Sequence, residues 1–269
     1  MPEPFVYPAR RLVITVENII MRFGGLRAVD DVSFGIGKGE ITGLIGPNGA
    51  GKTTLFNIIA GRLFPTSGRV LLEGEDITAL PPHERARLGL ARTFQIPHEF
   101  GALTVLENLM VAGDSKEGEN VFNAVLRRSL FRRAERAVFE RARDTLDFLE
   151  LGQVKNEKAG NLSGGQKKLL ELGRTLMREP RLILLDEIGA GINRTLLGKI
   201  AEKIKRLNAE RGYTFCLIEH DLDYVSRLCS DVIVMTQGSV LTRGSIDEVR
   251  HDERVIEAYF GGGKYEVGT

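Results

Sequence analysis

A glycine-rich stretch from Gly46 to Thr53 carries the clearest chemistry in this sequence. It reads GPNGAGKT and fits the pattern G-x-x-x-x-G-K-[ST] without a mismatch. Its glycines let the backbone curl so that several N–H groups can point at one anion. Lys52 supplies a full positive charge for the outer phosphates of a nucleotide, and the hydroxyl of Thr53 can bind Mg²⁺. The stretch therefore predicts a nucleotide-phosphate site.

The residues on both sides of this stretch predict the elements that hold it. An apolar run at 41–45 is typical of a buried strand, and the residues from Leu55 to Ile59 give a helix an apolar face that ends near Gly61. The helix N-terminus adds partial positive charge next to the loop. A glycine-rich turn that binds nothing is the alternative, and the agreement of strand, loop and helix disfavours it.

A pair of acids follows a second apolar run, Arg181-Leu-Ile-Leu-Leu-Asp186-Glu187. At the carboxyl end of a strand beside the phosphate loop, Asp186 can complete the coordination shell of Mg²⁺. Neighbouring side chains on an extended backbone point in different directions, so Glu187 is free to act on an attacking water. For the pair taken alone, a solvated strand end is the favoured interpretation; the phosphate loop reverses that preference.

The stretch Asn161-Leu-Ser-Gly-Gly-Gln166 predicts a second anion site. Ser163 is a natural N-cap for a helix that runs to about Arg178, and the two glycines inside it leave the first N–H groups uncovered. One short loop rarely needs two such sites, which suggests that they face each other across a dimer. An ordinary capped helix remains the alternative on spacing alone.

The composition is that of an ordinary soluble protein. The 269 residues are 42% hydrophobic and 27% charged, and the net charge of +1 gives no global field for nucleic acid. No apolar run reaches the roughly 18 residues that a transmembrane helix needs. The N-terminal residues lack the apolar core of a signal peptide, so we do not expect export.

Two cysteines, Cys216 and Cys229, do not make a disulfide framework. Each lies among apolar residues in the sequence. We therefore expect buried free thiols in a reducing compartment.

An arginine-rich stretch leaves two interpretations open. A helical segment from about Val121 to Leu151 carries seven arginines between Arg127 and Arg143. A solvated helix face is one interpretation, and a surface near anionic lipid or a membrane partner is the other. Nucleic acid is disfavoured because no aromatic platform accompanies the charge.

The remaining pattern predicts an α/β chain with a helical insert at 96–160. Strand-like segments occur on both sides of that insert, and we expect a turn at Met21–Gly25 and one last helix at 245–260. The expected strands lie at 12–17, 29–36, 41–45, 69–72, 75–77, 91–95, 182–185, 214–218, 231–236 and 239–242.

The ordered motifs resemble those of the ATP-binding-cassette (ABC) ATPases. The phosphate loop, Gln95, Leu162–Gln166, Asp186-Glu187 and His220 occur in that family's order and at its usual spacings, over about residues 11–245. The resemblance implies a P-loop NTPase core of ABC type, with a mixed sheet and flanking helices, an antiparallel β subdomain and a helical insert. It implies one ATPase domain over 11–250, with a RecA-like core at 11–95 and 161–245, a helical signature subdomain at 96–160, and a terminal helix and flexible tail at 246–269.

The resemblance also implies roles for individual residues. It implies a head-to-tail dimer that holds two ATP molecules with Mg²⁺, each between one subunit's phosphate loop and the other's Ser163-Gly164-Gly165-Gln166. Phe23 would stack on adenine, Gln95 would help to bind Mg²⁺ with Thr53 and Asp186, Glu187 would be the general base, and His220 would hold the γ-phosphate and Glu187 in line. The implied nucleotide-binding set is Phe23, Gly46, Asn48, Gly49, Gly51, Lys52, Thr53 and Thr54.

Two positions depart from the family pattern. Proline usually follows the catalytic glutamate, and here Ile188 does. The next loop usually reads Gly-Leu-Asp, and here it reads Gly191-Ile192-Asn193. Asn193 can still hydrogen-bond across a dimer but brings no charge, so communication between the two ATP sites is in question while hydrolysis is not.

Three further stretches narrow the resemblance to the ATP-binding subunits of branched-chain amino acid importers. They are Arg22–Asp30, Leu103–Asn108 and Val255–Gly261. This implies two integral membrane permeases and, indirectly, a solute-binding protein as partners, a peripheral position on the cytoplasmic face of the plasma membrane, and no nucleic acid. Urea or short-amide importers, lipopolysaccharide exporters and a nucleotide-switched scaffold protein are the alternatives.

Overall fold

The computed structural model describes residues 11–93, 99–113, 128–189 and 192–260. Among these, one compact unit comprises 11–92, 181–187 and 204–260, and the other comprises 99–180 and 188–203 with residue 93. The predicted helical insert lies in the second unit. That unit also takes in the residues after Ser163 and the start of the helix that follows the acid pair.

An antiparallel sheet forms one layer of the first unit. Its strands are β1 (Leu12–Phe23), β2 (Leu26–Gly37), β4 (Ser67–Leu72) and β5 (Glu75–Asp76), in the order β2-β1-β4-β5. The predicted turn at Met21–Gly25 is wrong for its first half. Met21 pairs with Val29 and is buried, so β1 continues to Phe23 and only Gly24 and Gly25 turn.

A mainly parallel sheet places the ends of several strands at one edge. It contains β3 (Ile41–Ile45), β6 (Leu90–Arg92), β7 (Leu182–Asp186), β8 (Thr214–Ile218), β9 (Asp231–Thr236) and β10 (Ser239–Gly244), in the order β10-β9-β3-β8-β7-β6. Every residue of β3, β7 and β8 is buried, which confirms the interpretation of their apolar runs as strands covered on both faces. Among the described strands of this sheet, only β10 is antiparallel to its neighbour. The carboxyl ends of the parallel strands therefore share one edge, where ligands bind in folds of this class.

The described helices of the first unit include two at the C-terminal end where one was predicted. They are α1 (Lys52–Ile59), α2 (Pro82–Arg87), α7 (Leu222–Leu228), α8 (Ile246–His251) and α9 (Glu253–Phe260), and α6 (Arg194–Arg211) runs into this unit. The single helix predicted at 245–260 is wrong because the chain is extended at Asp252. The Asp252 carboxylate accepts bonds from the backbone and side chain of Arg254, which start a new helix.

A fully buried arginine fixes the end of α1. Arg85, on α2, donates to the carbonyls of Ile58 and Ile59 at 2.7 and 2.8 Å, and also to those of Leu80 and Thr78. Burial lowers the pKa of Arg85 to about 10, so its side chain stays charged at neutral pH. A cation at a helix C-terminus satisfies carbonyls that have no partner in the helix. Nothing in the sequence analysis singled out this residue.

Three of the described helices of the second unit pack closely together. They are α3 (Val105–Ala112), α4 (Arg128–Phe148) and α5 (Gly164–Leu176). A Cβ at Gly173 would lie 2.8 Å from a methyl of Leu149 and 2.9 Å from one of Leu109, so glycine permits this approach. The part of the predicted 121–151 helix before Arg128 lies outside the described residues. On α4, Arg141 pairs with Glu179 and Arg143 with Glu140.

Candidate functional site

The phosphate loop lies at the carboxyl end of β3, and two of its glycines are required by close contacts. Gly46 has φ of 146°, and a Cβ there would lie 2.0 Å from the carbonyl oxygen of Met235. Gly51 has φ of 95°, and a Cβ there would lie 2.4 Å from the carbonyl oxygen of Ala28. Any larger residue would push the loop away from the sheet, because both obstacles are backbone atoms.

The helix that follows the loop begins without a side-chain cap. Gly51 is the N-cap of α1 and offers no side chain, whereas Thr104, Ser163 and Ser245 cap α3, α5 and α8 with their hydroxyls. The first N–H groups of α1 therefore meet no capping side chain. Such a helix start binds phosphate well, because backbone donors and the helix dipole act on the same anion.

Lys52 is folded into the loop. Its ammonium donates to the carbonyl oxygens of Gly46 at 2.7 Å and Pro47 at 2.9 Å, and the side chain is buried. Burial lowers the pKa of Lys52, and the negative charge of Glu187 opposes that shift. The lysine therefore lies within electrostatic reach of Glu187, which directly follows β7.

The two acids at the end of β7 have different partners. Oδ2 of Asp186 accepts a bond of 2.6 Å from Arg92, while Oε1 of Glu187 lies 2.7 Å from Nε2 of His220. Glu187 has φ of 46°, in the left-handed region, and its N–H donates to the carbonyl of Ile218 at the end of β8. The two carboxylates point to separate places because of this turn; the extended backbone expected at Glu187 is wrong. Sequence spacing does not reveal the turn, since glutamate has no special preference for it.

The ion pair between Arg92 and Asp186 was not expected from the sequence. Both side chains are 9% exposed, and the other terminal nitrogen of Arg92 donates to Oδ1 of Asn57 on α1 at 2.7 Å. Arg92 ends β6, immediately beside β7 in the sheet. The only sign of this ion pair in the sequence is a polar residue at the carboxyl end of a short strand.

The oxygen donors present are of the kind that Mg²⁺ prefers. The exposed side chain of Thr53 is a hydroxyl, and Asp186 is a carboxylate with only Oδ2 bonded to Arg92. Within the described ranges no group of three or more histidine, cysteine or acidic side chains could hold a metal. Mg²⁺ bound mainly by substrate phosphates needs only one or two protein ligands, so this donor set fits it. Gln95 lies outside the described residues.

Other predicted nucleotide contacts are accessible. Phe23 ends β1 with 47% of its surface exposed, so it is not a core aromatic. Asn48 and Gly49 are exposed at the tip of the loop, and Thr54 is half-buried.

The predicted second anion site begins α5 in the other unit. Ser163 and Gln166 form a capping box: Ser163 Oγ accepts from Gln166 N–H at 3.4 Å, and Gln166 Oε1 accepts from Ser163 N–H at 3.0 Å. Gly164 is exposed with no atom within 4 Å of a Cβ position, while Gly165 packs against Leu196.

Ile188 and Asn193, which depart from the family pattern, both belong to the second unit. Ile188 is buried. Oδ1 of Asn193 accepts a bond of 2.9 Å from Leu196 N–H at the start of α6.

Comparison with known proteins decides the family. A family model described as ABC transporter matches residues 29–190, which contain the phosphate loop, Ser163–Gln166 and both acids. The chain belongs to the ABC transporter family. A second model, described as branched-chain amino acid ATP-binding cassette transporter, matches residues 239–265. The first match covers the phosphate loop and the acid pair, and the second covers β10, α8 and α9.

Relatives of this ABC protein match it over nearly its full length. A probable branched-chain amino acid transport ATP-binding protein, LivG of Archaeoglobus fulgidus, is 40% identical over 95% of this chain and 98% of its own. The high-affinity branched-chain amino acid transport ATP-binding protein BraF of Pseudomonas aeruginosa is 39% identical over 93% and 98%. The chain is therefore similar in length as well as in sequence to these ABC subunits.

Solved ABC structures confirm the predicted fold class. A nucleotide-free ATP-binding cassette from an ABC transporter has a TM-score of 0.79 at 40% identity, covering 93% of this chain and 99% of its own. An ABC cassette in its ADP conformation has a TM-score of 0.80 at 41% identity over 93% and 99%. The α/β, P-loop NTPase fold of ABC type is thus established. Among the described helices of this ABC protein, none is both long enough and apolar enough to cross a membrane.

Proposed function

We propose that this chain hydrolyses ATP as the nucleotide-binding subunit of an importer of branched-chain amino acids. The observation that carries the proposal is the identity of about 40% with LivG and BraF proteins over nearly the full chain. The site geometry supports the ATPase part independently, because a phosphate loop and an acid held by histidine lie at one edge of the sheet. In this proposal residues 11–250 are the ATPase domain, with the subdomain limits expected above.

Each residue of the site has a proposed role in binding ATP or in hydrolysing it. The N–H groups at the start of α1 and the ammonium of Lys52 bind the β- and γ-phosphates, and Phe23 stacks on the adenine. Glu187 accepts a proton from the attacking water, whose oxygen forms a bond to the γ-phosphorus while the bond to the ADP oxygen breaks. His220 holds the Glu187 carboxylate at 2.7 Å, so the base is aimed before the substrate arrives. The products are ADP and phosphate.

Thr53, Asp186 and Gln95 would hold Mg²⁺, whose charge stabilises the negative charge on the phosphates. The oxygen donors described above support this assignment for Thr53 and Asp186. Asp186 contributes through the oxygen that Arg92 leaves unbonded.

A second subunit completes each site in this proposal. Ser163, Gly164, Gly165 and Gln166 of one subunit contact the γ-phosphate held by the phosphate loop of the other, in a head-to-tail dimer. The helix start at Ser163 supports this role, because Gly164 presents open backbone to a ligand. A more distant ABC cassette, 25% identical with a TM-score of 0.71 over 87% of this chain and 98% of its own, was solved as a dimer bound to ADP and Pi.

The proposed partners follow from the transport role. Two integral membrane permeases bind the ATPase dimer on the cytoplasmic face of the plasma membrane, and a solute-binding protein delivers the amino acid from outside. The names of the relatives favour this assignment over urea or short-amide import, lipopolysaccharide export and a scaffold role. Nucleic acid is not a proposed partner.

Uptake by cells that lack the chain tests the proposal. Deleting its gene should abolish most high-affinity uptake of labelled leucine, isoleucine and valine while urea uptake continues. A plasmid copy of the wild type should restore amino acid uptake, and a Glu187→Gln copy produced at the same level should not. Normal amino acid uptake together with lost urea uptake would favour the urea alternative. Normal uptake of all four solutes would contradict the importer assignment.

A further inference from the structure

Arg92 is held against Asp186 by two separate anchors. One terminal nitrogen lies 2.6 Å from Oδ2 of Asp186, and the other lies 2.7 Å from Oδ1 of Asn57. Asn57 belongs to α1, the helix that begins at the phosphate loop. The guanidinium therefore links that helix to the carboxylate at the end of β7.

Burying the Arg92 side chain has a cost that its ion pair with Asp186 helps to offset. The guanidinium carbon lies 5.9 Å from the centre of the Phe56 ring, and Nε of Arg92 is buried with no acceptor among the described residues. A buried donor without an acceptor costs free energy, so the ion pair must offset that cost. Arg62 is a second cation near this pair: burial lowers the pKa of Arg62, the charge of Arg92 lowers it further, and the charge of Asp186 opposes that shift.

We propose that Arg92 is a positioning residue: it is the resident counter-cation of Asp186 before nucleotide binds, and it sets how strongly nucleotide binding depends on Mg²⁺. The inference rests on the proposed function, in which Asp186 lies on the metal side of the phosphates. Because one oxygen of Asp186 is bonded to Arg92, the other is aimed by that bond. Partners of this kind orient metal ligands in many proteins.

The negative charge of Asp186 predicts how removing Arg92 changes nucleotide binding. Asp186 alone would repel the phosphates of a nucleotide that arrives without metal, and Arg92 cancels that charge at short range. Without Arg92, Arg62 offsets the charge of Asp186 only in part, and Mg²⁺ would have to relieve the rest of the repulsion. Removing Arg92 should therefore weaken metal-free nucleotide binding far more than binding with metal.

The measurement is the dissociation constant of a fluorescent ADP analogue, taken once with excess Mg²⁺ and once with EDTA. In Arg92→Gln the ratio of the EDTA value to the Mg²⁺ value should rise about tenfold above that of the wild type, as expected for one uncompensated charge near phosphate. Arg92→Lys keeps the charge and should restore most of the wild-type ratio. Arg243→Gln is the matched control, because Arg243 and Asp231 form an ion pair of 2.7 Å with 13% and 22% exposed side chains on the β9–β10 hairpin. Its ratio should equal that of the wild type.

A second pair of variants keeps the test decisive if Arg92→Gln does not fold. Asp186→Asn leaves Arg92 uncompensated and should tighten binding in EDTA about tenfold. Adding Arg92→Gln to Asp186→Asn gives a neutral pair, and binding in EDTA should return to within about threefold of the wild type.

The outcomes separate the inference from the proposed function. An unchanged or lower ratio in Arg92→Gln, or a double variant that binds in EDTA as tightly as Asp186→Asn, would overturn the role of Arg92 while nucleotide binding by the wild type stands. A wild type that binds no nucleotide with Mg²⁺ would contradict the proposed function and the inference built on it.

Discussion

Glu187 combines a strained backbone with an oriented side chain. A φ of 46° costs a residue with a side chain roughly 1–3 kcal/mol, and here the bond from its N–H to Ile218 holds the conformation. The turn lets Glu187 reach His220 while Asp186 reaches Arg92. A strained conformation of this kind persists only when its surroundings fix it, so the bonds around Glu187 set the position of its carboxylate.

Glu187→Gln should lower steady-state ATP turnover by about 100-fold or more, because a positioned general base contributes roughly 10²–10⁴. ATP binding should persist, and ATP should then favour a stable dimer, measured by light scattering with phosphate release assayed in parallel. Glu17→Gln is the control, since Glu17 pairs with Arg69 on the antiparallel sheet. Undiminished turnover in Glu187→Gln would remove Glu187 from its assigned role.

Phe23→Ala should weaken ATP binding about 5- to 150-fold, the effect of losing about 1–3 kcal/mol of stacking on a base. Phe64→Ala offers a fair comparison because Phe64 is also exposed, at 56%, and has no predicted part in the site. Titration calorimetry with Mg²⁺-ATP would measure both. Equal affinities for the two variants would mean that Phe23 does not contact adenine.

Secondary structure could be predicted well where burial alone decides it. The limits of β3 and β8 agree with the predicted strands. Each is a continuous apolar run between turn residues, which is the pattern of a strand buried on both faces of a parallel sheet. The end of β1 was missed because Met21 is fixed by pairing with Val29, and a long-range pairing leaves no local mark. The break at Asp252 was missed because it depends on one side chain capping α9.

Arg85→Met should lower the free energy of unfolding by about 3 kcal/mol or more, since it leaves buried carbonyls without donors at the end of α1. Methionine fills similar space, so the loss reports mainly on hydrogen bonds. Arg27→Met changes a half-exposed arginine on β2 and should cost less than about 0.5 kcal/mol. Urea denaturation would measure both variants, and the slope of the unfolding free energy against urea concentration should stay unchanged. Similar midpoints for the two variants would contradict the anchoring role of Arg85.

At the scale of the molecule, the two arginines that hold the site could not be found from the sequence. Arg85 and Arg92 stand in the polar stretch from Pro81 to Thr93 and look like surface residues there. Their importance arises only when α1, β6 and β7 come together in the fold. The family motifs could be recognised because they are local, whereas these supports join residues 26 to 94 positions apart.

The thiols report on the integrity of the whole first unit. Cys216 and Cys229 are free and buried, as expected from the sequence, and burial raises the pKa of both thiols. Because thiolate is the reactive form, neither should react measurably with Ellman's reagent at pH 8 in the native protein. In denaturant, two thiols per chain should react quickly. Fast reaction of the native protein would contradict the described core.

Lys52 has a further consequence through its bonds to Gly46 and Pro47. The loop supplies its own acceptors, so the buried ammonium is hydrogen-bonded within the protein. Each arriving nucleotide must displace these internal contacts, and each departing one lets them re-form. In the proposed reaction, these two carbonyls can take the place of the phosphates as ADP leaves, which should make release of ADP easier.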